Sequence, residues 1–369
     1  MIKTFDYQKL LPEIEKEVMN ALSCVLHSNR LILGPETEGF EREFAQYMGV
    51  KHCIAVTSGT TALHLALLSL GVGPGDEVIT VSNTCVPTVA AIRLTGAIPV
   101  FIDIREDDFM MDTRQIASKI TAKTRCILPV HLWGKSVALN EVLKIAETYS
   151  LEVIEDCAQA CGTLYQGLKV GAFGQMGCFS FYPTKNIGAY GDAGAIITHN
   201  DELAERLRKM RMYGYDSAGN AQMEGMNARI SEMQAAILRI KLRVFPKWLN
   251  RRLEIAEFYN KTIQNLSIVK PQCLVECRPS YHQYVVCCKE RTKFIEWLKS
   301  HEIGYGIHYP TPVHLMPAYE YLGIASHELP NAVRACSEIL SLPIHEGLSS
   351  KEVDYIVETI NQFPTLPYS

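Results

Sequence analysis

Ser180-Phe-Tyr-Pro-Thr-Lys185-Asn-Ile-Gly188-Ala-Tyr-Gly191-Asp-Ala-Gly194 sets a single lysine in a turn-rich run between two apolar segments. Gly177 to Tyr182 reads as a strand before it and Ala195 to Thr198 as a strand after it. Pro183 and the three glycines mark tight, non-helical backbone between them. A surface-loop lysine is the plain reading. A lysine pinned between two strands near a low-dielectric floor can also shed its proton and act as an amine nucleophile. The surrounding chain decides between the two.

Upstream, short apolar runs alternate with helical patterns: strands at His52–Val56, Glu77–Val81, Ile98–Asp103, Arg125–Leu132 and Glu152–Asp156, with helices between them. Such alternation predicts a mostly parallel sheet covered on both faces. In such sheets ligands lie at the carboxyl ends of the strands. Two features fall there. Thr57-Ser58-Gly59-Thr60-Thr61-Ala62 joins a strand to a helix, the geometry that offers N–H groups and a positive helix end to a phosphate. An ordinary N-cap without a ligand fits the same residues, but neither a Walker loop nor Gly-x-Gly-x-x-Gly does. Asp156 closes the last of these strands, as a ligand-facing carboxylate or as the N-cap of a helix from Cys157. Nearer the start, Thr37 reads as the cap of a helix running to Tyr47.

The 369 residues suffice for a large core and a smaller one, with a boundary expected at 245/246: a large domain 1–245 and a C-terminal α/β domain 246–369. Pro246 is expected to kink or restart a helix there. With 36 Lys plus Arg against 40 Asp plus Glu the formal charge is −4, which gives no nucleic-acid or anionic-membrane surface. The start has the look of neither a signal peptide nor a span, so a cytoplasmic protein is expected. Twelve cysteines without ligand spacing read as reduced thiols, and no metal site is expected.

A phosphate cradle at 58–61, a carboxylate at 156 and an amine at 185 are together what pyridoxal phosphate (PLP) requires. The phosphate takes helix N–H groups, the aldehyde an amine, and the ring nitrogen a carboxylate that keeps it protonated. The motifs Ser58-Gly-Thr-Thr-Ala-Leu63, Gly73-Pro-Gly-Asp-Glu-Val78, Pro129-Val-His-Leu-Trp-Gly134, Glu155-Asp-Cys-Ala-Gln-Ala160, Ser180 to Lys185, Met226-Asn-Ala-Arg229, Gln234-Ala-Ala-Ile237, His308-Tyr-Pro310 and Leu340-Ser-Leu-Pro343 cover nearly the whole chain. In these the sequence resembles the DegT/DnrJ/EryC1/StrS sugar aminotransferases, which are fold-type I PLP enzymes of the aspartate aminotransferase kind.

The resemblance implies that Lys185 holds the cofactor covalently and Asp156 pairs with its ring nitrogen. It sets Gln159 near the ring, and Gly59, Thr60, Thr61 and Ser180 at the phosphate. Asn227 would reach the phosphate of a neighbouring subunit, making a homodimer with shared active sites. Arg229, His308 and Tyr309 would meet the substrate. The implied reaction moves the amino group of glutamate to a nucleotide-linked, dTDP-type keto-6-deoxy-sugar at C3. Surface polysaccharide (lipopolysaccharide) or secondary-metabolite synthesis would use the product. Amination at C4, or a PLP-binding regulatory role, is the alternative. Cys85 departs from the pattern, because many relatives carry an aromatic residue that stacks on the ring there.

Overall fold

The computed structural model describes residues 1–364. Five strands follow the expected alternation: β1 (His52–Val56), β2 (Glu77–Val81), β3 (Ile98–Ile102), β4 (Thr124–Ile127) and β5 (Glu152–Asp156). Two short strands, β6 (Leu164–Tyr165) and β7 (Leu168–Lys169), precede β8 (Met176–Ser180) and β9 (Gly194–Thr198). The main sheet has seven strands in the order β1-β9-β8-β5-β4-β2-β3. Only β9 runs against the rest, pairing antiparallel with both β1 and β8, so the sheet is mixed and mostly parallel. Its strands are buried along most of their length, as expected of a sheet covered on both faces.

The helices are α1 (Leu11–His27), α2 (Pro35–Met48), α3 (Gly59–Ser69), α4 (Val86–Leu94), α5 (Ile116–Lys119), α6 (Leu139–Tyr149) and α7 (Asp201–Met210). After them come α8 (Glu232–Thr262), α9 (Arg291–Ser300), α10 (Pro330–Glu338) and α11 (Ser350–Asn361). Eight of the eleven residues of α3 are buried. That helix is apolar almost all round, which suits an element pressed into the core. Among the described residues no helix is long and apolar enough to cross a membrane.

The second half adds β10 (Cys277–Arg278), paired with β6, and the antiparallel pair β11 (Tyr284–Cys287) and β12 (Ile339–Leu342). Tyr259 and Ile255 of α8, Phe294 of α9 and Ile356 of α11 close a separate core over that pair. Helix α8 runs unbroken through Pro246 for 31 residues, about 46 Å. The expected restart at Pro246 is therefore corrected: the helix continues through it, and one missing N–H is tolerated.

Three local expectations also change. Thr37 is not a cap, since α2 starts at Pro35 and the Thr37 hydroxyl donates to Glu232. The Glu232 carboxylate, from α8, accepts the N–H groups of Gly34, Glu36 and Thr37. Strand β4 stops at Ile127, short of Pro129, and Leu132–Gly134 forms a 3-10 turn. No helix follows Asp156, whose Oδ1 accepts the N–H of Ala158 in a local turn.

Candidate active site

The carboxyl ends of β1, β2, β4, β5 and β8 surround one cavity of about 340 Å³. Of the residues singled out by sequence, Gly59, Thr60, Cys85, Asp156, Gln159, Ser180, Lys185, His308 and Tyr309 line it. Thr61 stands just behind, its hydroxyl 2.9 Å from Ser58 Oγ. Asn227 and Arg229 do not line it: Asn227 is exposed, and its Oδ1 accepts from Arg229 Nε at 2.9 Å. The 221–226 loop lies outside this subunit's cavity as well.

One end of the cavity is the start of α3. Ser58 is extended and its Oγ accepts the N–H of Thr61 at 3.1 Å. The N–H groups of Gly59 and Thr60 have no hydrogen-bond partner among the described residues. Space is tight here. A Cβ on Gly59 would lie 2.7 Å from Ser180 Cβ, and one on Gly194 would lie 2.4 Å from the Ser58 carbonyl. The β8–β9 edge therefore presses directly on the helix start and keeps the first turn open to an anion.

Lys185 and Asp156 face the interior. Burial holds the Lys185 amine below its ordinary pKa, opposed by the nearby Cys85 and Asp156. Its Nζ has no hydrogen-bond or ion-pair partner among the described residues. Asp156 is buried on β5. Its Oδ2 accepts from Thr88 Oγ1 at 2.8 Å and its Oδ1 from Ala158 N at 3.0 Å. Burial raises its pKa, although those two donors and Lys185 act the other way. A buried carboxylate held only by neutral donors suits a cationic ring nitrogen, and an amine with a lowered pKa suits an aldehyde. With the open helix start, the residues fit PLP at all three of its functional groups.

The side wall is a hydrogen-bonded chain. Gln159 Oε1 accepts the Trp133 N–H at 2.8 Å, and its Nε2 donates to the Tyr309 hydroxyl at 2.9 Å. Trp133 Nε1 donates to the His308 carbonyl at 2.8 Å. The Tyr309 phenol also neighbours the Cys85 thiol, and burial, then that thiol, pushes its pKa up. The small side chain at 85 thus meets an aromatic ring contributed by the 308–309 segment. His308 Nδ1 bonds Ser341 Oγ at 2.9 Å, and burial and Lys185 bring its pKa down to about 4.

His282 is a site residue the sequence did not reveal. It lines the cavity and is buried, and its Nδ1 lies 3.1 Å from Asn186 Oδ1. Burial, Lys185 and Arg252 hold its pKa well below the ordinary value. The neutral ring therefore donates from Nδ1 to Asn186, whose Nδ2 donates in turn to the Ser280 carbonyl. This anchors the residue next to Lys185. The only signal was polar composition around Ser280-Tyr-His-Gln, 96 residues from its partner. Behind the wall, His131, Glu155 and Cys157 come within ligand distance of one another. Glu155 already accepts three backbone N–H groups and meets His131 Nε2 at 3.0 Å, while His131 Nδ1 accepts from Val137 N.

Sheet order, cavity position and the lysine–aspartate pair define a fold-type I PLP-dependent aminotransferase. The chain belongs to the DegT/DnrJ/EryC1/StrS aminotransferase family, which it matches over residues 12–361. It is 39% identical to a dTDP-3-amino-3,4,6-trideoxy-alpha-D-glucose transaminase of Micromonospora megalomicea subsp. nigra, over 98% of this chain and 99% of that one. It is 38% identical to a pleiotropic regulatory protein of Geobacillus stearothermophilus, over 98% of each. The crystal structure of S. venezuelae DesV in complex with a ketimine intermediate superposes with a TM-score of 0.95 at 38% identity, covering 98% of both chains. Solved relatives hold PLP or its amine form, PMP.

Proposed function

We propose that this enzyme transfers the amino group of glutamate to C3 of a dTDP-linked 3-keto-6-deoxyhexose, working as a homodimer with shared active sites. The observation that carries the reading is the half-buried Lys185 and the buried Asp156, both facing one cavity whose far end is an uncommitted helix start. The transaminase from Micromonospora, by its name a C3 enzyme, supports the choice of sugar and carbon.

When bound, PLP supplies an aldehyde that captures amines and a ring that draws electron density from the captured carbon. The protein supplies the rest. Gly59 and Thr60 N–H groups and the Ser180 hydroxyl bind the phosphate. Asp156 holds the ring nitrogen's proton. Lys185 Nζ takes a proton from the α-carbon of glutamate, and in the second half-reaction delivers one at C3 of the sugar. Gln159 and Tyr309 orient the ring from the side, and the Trp133–His308 contact closes that wall to water. Asn227 and Arg229, outside their own cavity, are assigned to the cavity of the second copy. Residues 1–245 and 246–369 are assigned as cofactor and sugar-closing domains, hinged along α8.

The reading is tested by presenting the PLP-loaded enzyme with glutamate and either a dTDP-3-keto or a dTDP-4-keto-6-deoxyhexose. The 3-keto sugar should yield amino sugar and 2-oxoglutarate in equal amounts. Turnover of the 4-keto sugar alone overturns the C3 assignment, and turnover of neither overturns the substrate class.

A further inference from the structure

A second reactive cluster lies away from the active site. Cys273-Leu-Val-Glu-Cys277 is folded back by a turn in which Cys277 N donates to the Leu274 carbonyl at 3.0 Å. The turn sets the two cysteines side by side at its ends, where each thiol perturbs the ionisation of the other. Cys273 is exposed and Cys277 is buried. Lys135 closes the cluster from beneath. It is only 4% exposed, and its Nζ donates to the carbonyls of Gln272 at 3.1 Å and Asp108 at 2.5 Å. It makes no carboxylate ion pair among the described residues. The next residue, Ser136, donates its N–H to Cys277 Sγ at 3.3 Å. A cavity of about 650 Å³, lined by Lys135, Lys270 and Gln272 and separate from the active site, opens beside the cluster.

A lysine beside an exposed thiol favours its thiolate, although burial holds the Lys135 pKa below its ordinary value; the Ser136 N–H is directed at the buried partner. The neighbouring Cys277 thiol, then Lys135, lowers the Cys273 pKa to about 7, while Cys277 is pushed up. The exposed thiol is thus the nucleophile and its buried neighbour the resolving group. No other pair of cysteines combines an exposed member, a partner thiol and a lysine.

We propose that Cys273 and Cys277 are a redox-active dithiol that peroxides convert to an intramolecular disulfide. The Cys273 thiolate attacks a peroxide oxygen, the O–O bond breaks, and hydroxide leaves and is protonated to water. Cys277 sulfur then attacks the resulting sulfenic acid: the S–S bond forms, the S–O bond breaks, and a second water leaves. The two thiols lose two electrons and two protons, and hydrogen peroxide becomes two waters.

The PLP-loaded enzyme is exposed to hydrogen peroxide, capped with iodoacetamide and cleaved after Glu276, which separates the two cysteines. The expected result is a pair of peptides joined through Cys273 and Cys277, released by dithiothreitol and lost in Cys273→Ser. In untreated enzyme at neutral pH, iodoacetamide should label Cys273 several-fold faster than Cys24, the other exposed cysteine. Peroxide that leaves both thiols unchanged, or takes Cys273 to sulfinic acid without the cross-link, overturns the proposal. So does equal labelling of Cys24 and Cys273.

Discussion

Lys185 and Asp156 face the same cavity, and burial pushes each toward its neutral form. For Lys185 this means that the amine is deprotonated at a lower pH than a solvated lysine. Covalent capture of PLP by the apo-enzyme should therefore accelerate as pH rises and level off below the lysine's ordinary value of 10.5. Stopped-flow absorbance across pH 6 to 11 reads this, and a rate still climbing at the top of that range would contradict it. For Asp156 the neutral form is the wrong one, and the guest cation restores its charge. Asp156→Asn keeps the bonds from Thr88 and the shape of the site but cannot hold the ring proton. Losing a buried charge pair costs about 3–5 kcal/mol, so kcat should fall by about 10²–10⁴-fold with circular dichroism unchanged. Turnover close to that of the parent would show that the proton is held elsewhere.

Helix α3 shows how an element can serve both stability and the site. Ser58 caps it through Thr61 N and leaves the first two N–H groups free. Ser58→Ala should cost about 1 kcal/mol of stability, read as a lower urea midpoint at unchanged slope, and weaken PLP binding about fivefold. Loss of affinity with no loss of stability would mean that Ser58 meets the phosphate instead of capping the helix. At this scale the sequence was most legible. Strands β1, β2 and β5 lie where their apolar runs put them, and α3 begins at the expected 58–61 turn, because each carries its own local pattern. Lys185, Asp156 and the 58–61 turn were legible for the same reason, as local motifs at predicted strand ends. The cap of α2 was not, since Glu232 reaches it from 195 residues away. Nor were the Gln159–Tyr309 bond, across 150 residues, or the His282–Asn186 bond. Such partners are set by how the halves of the chain meet, and no spacing records that. Pro246 misled because a proline penalty is local, whereas the packing of α8 against α1 and α2 is spread along the helix.

At the scale of the whole molecule, one subunit's cavity is lined without Asn227 or Arg229, although both lie within the stretch that matches the family. If Asn227 donates to the phosphate in a second copy, Asn227→Ala removes about 1.5–3 kcal/mol, and PLP binds at least about tenfold more weakly. Mixing these subunits with Lys185→Ala subunits then gives heterodimers in which one site carries both lesions and the other neither. Activity should return at low PLP. Heterodimers that form yet show no rescue would place Asn227 in its own subunit's site. The central claim, that Lys185 carries PLP and surrenders it to glutamate, is tested most directly by borohydride trapping and peptide mass spectrometry on the whole enzyme. The account predicts a reduced pyridoxyl group on Lys185 in the resting enzyme, and its disappearance when glutamate is added before the borohydride. A label on another lysine, no label at all, or a Lys185 label that glutamate leaves untouched would contradict it.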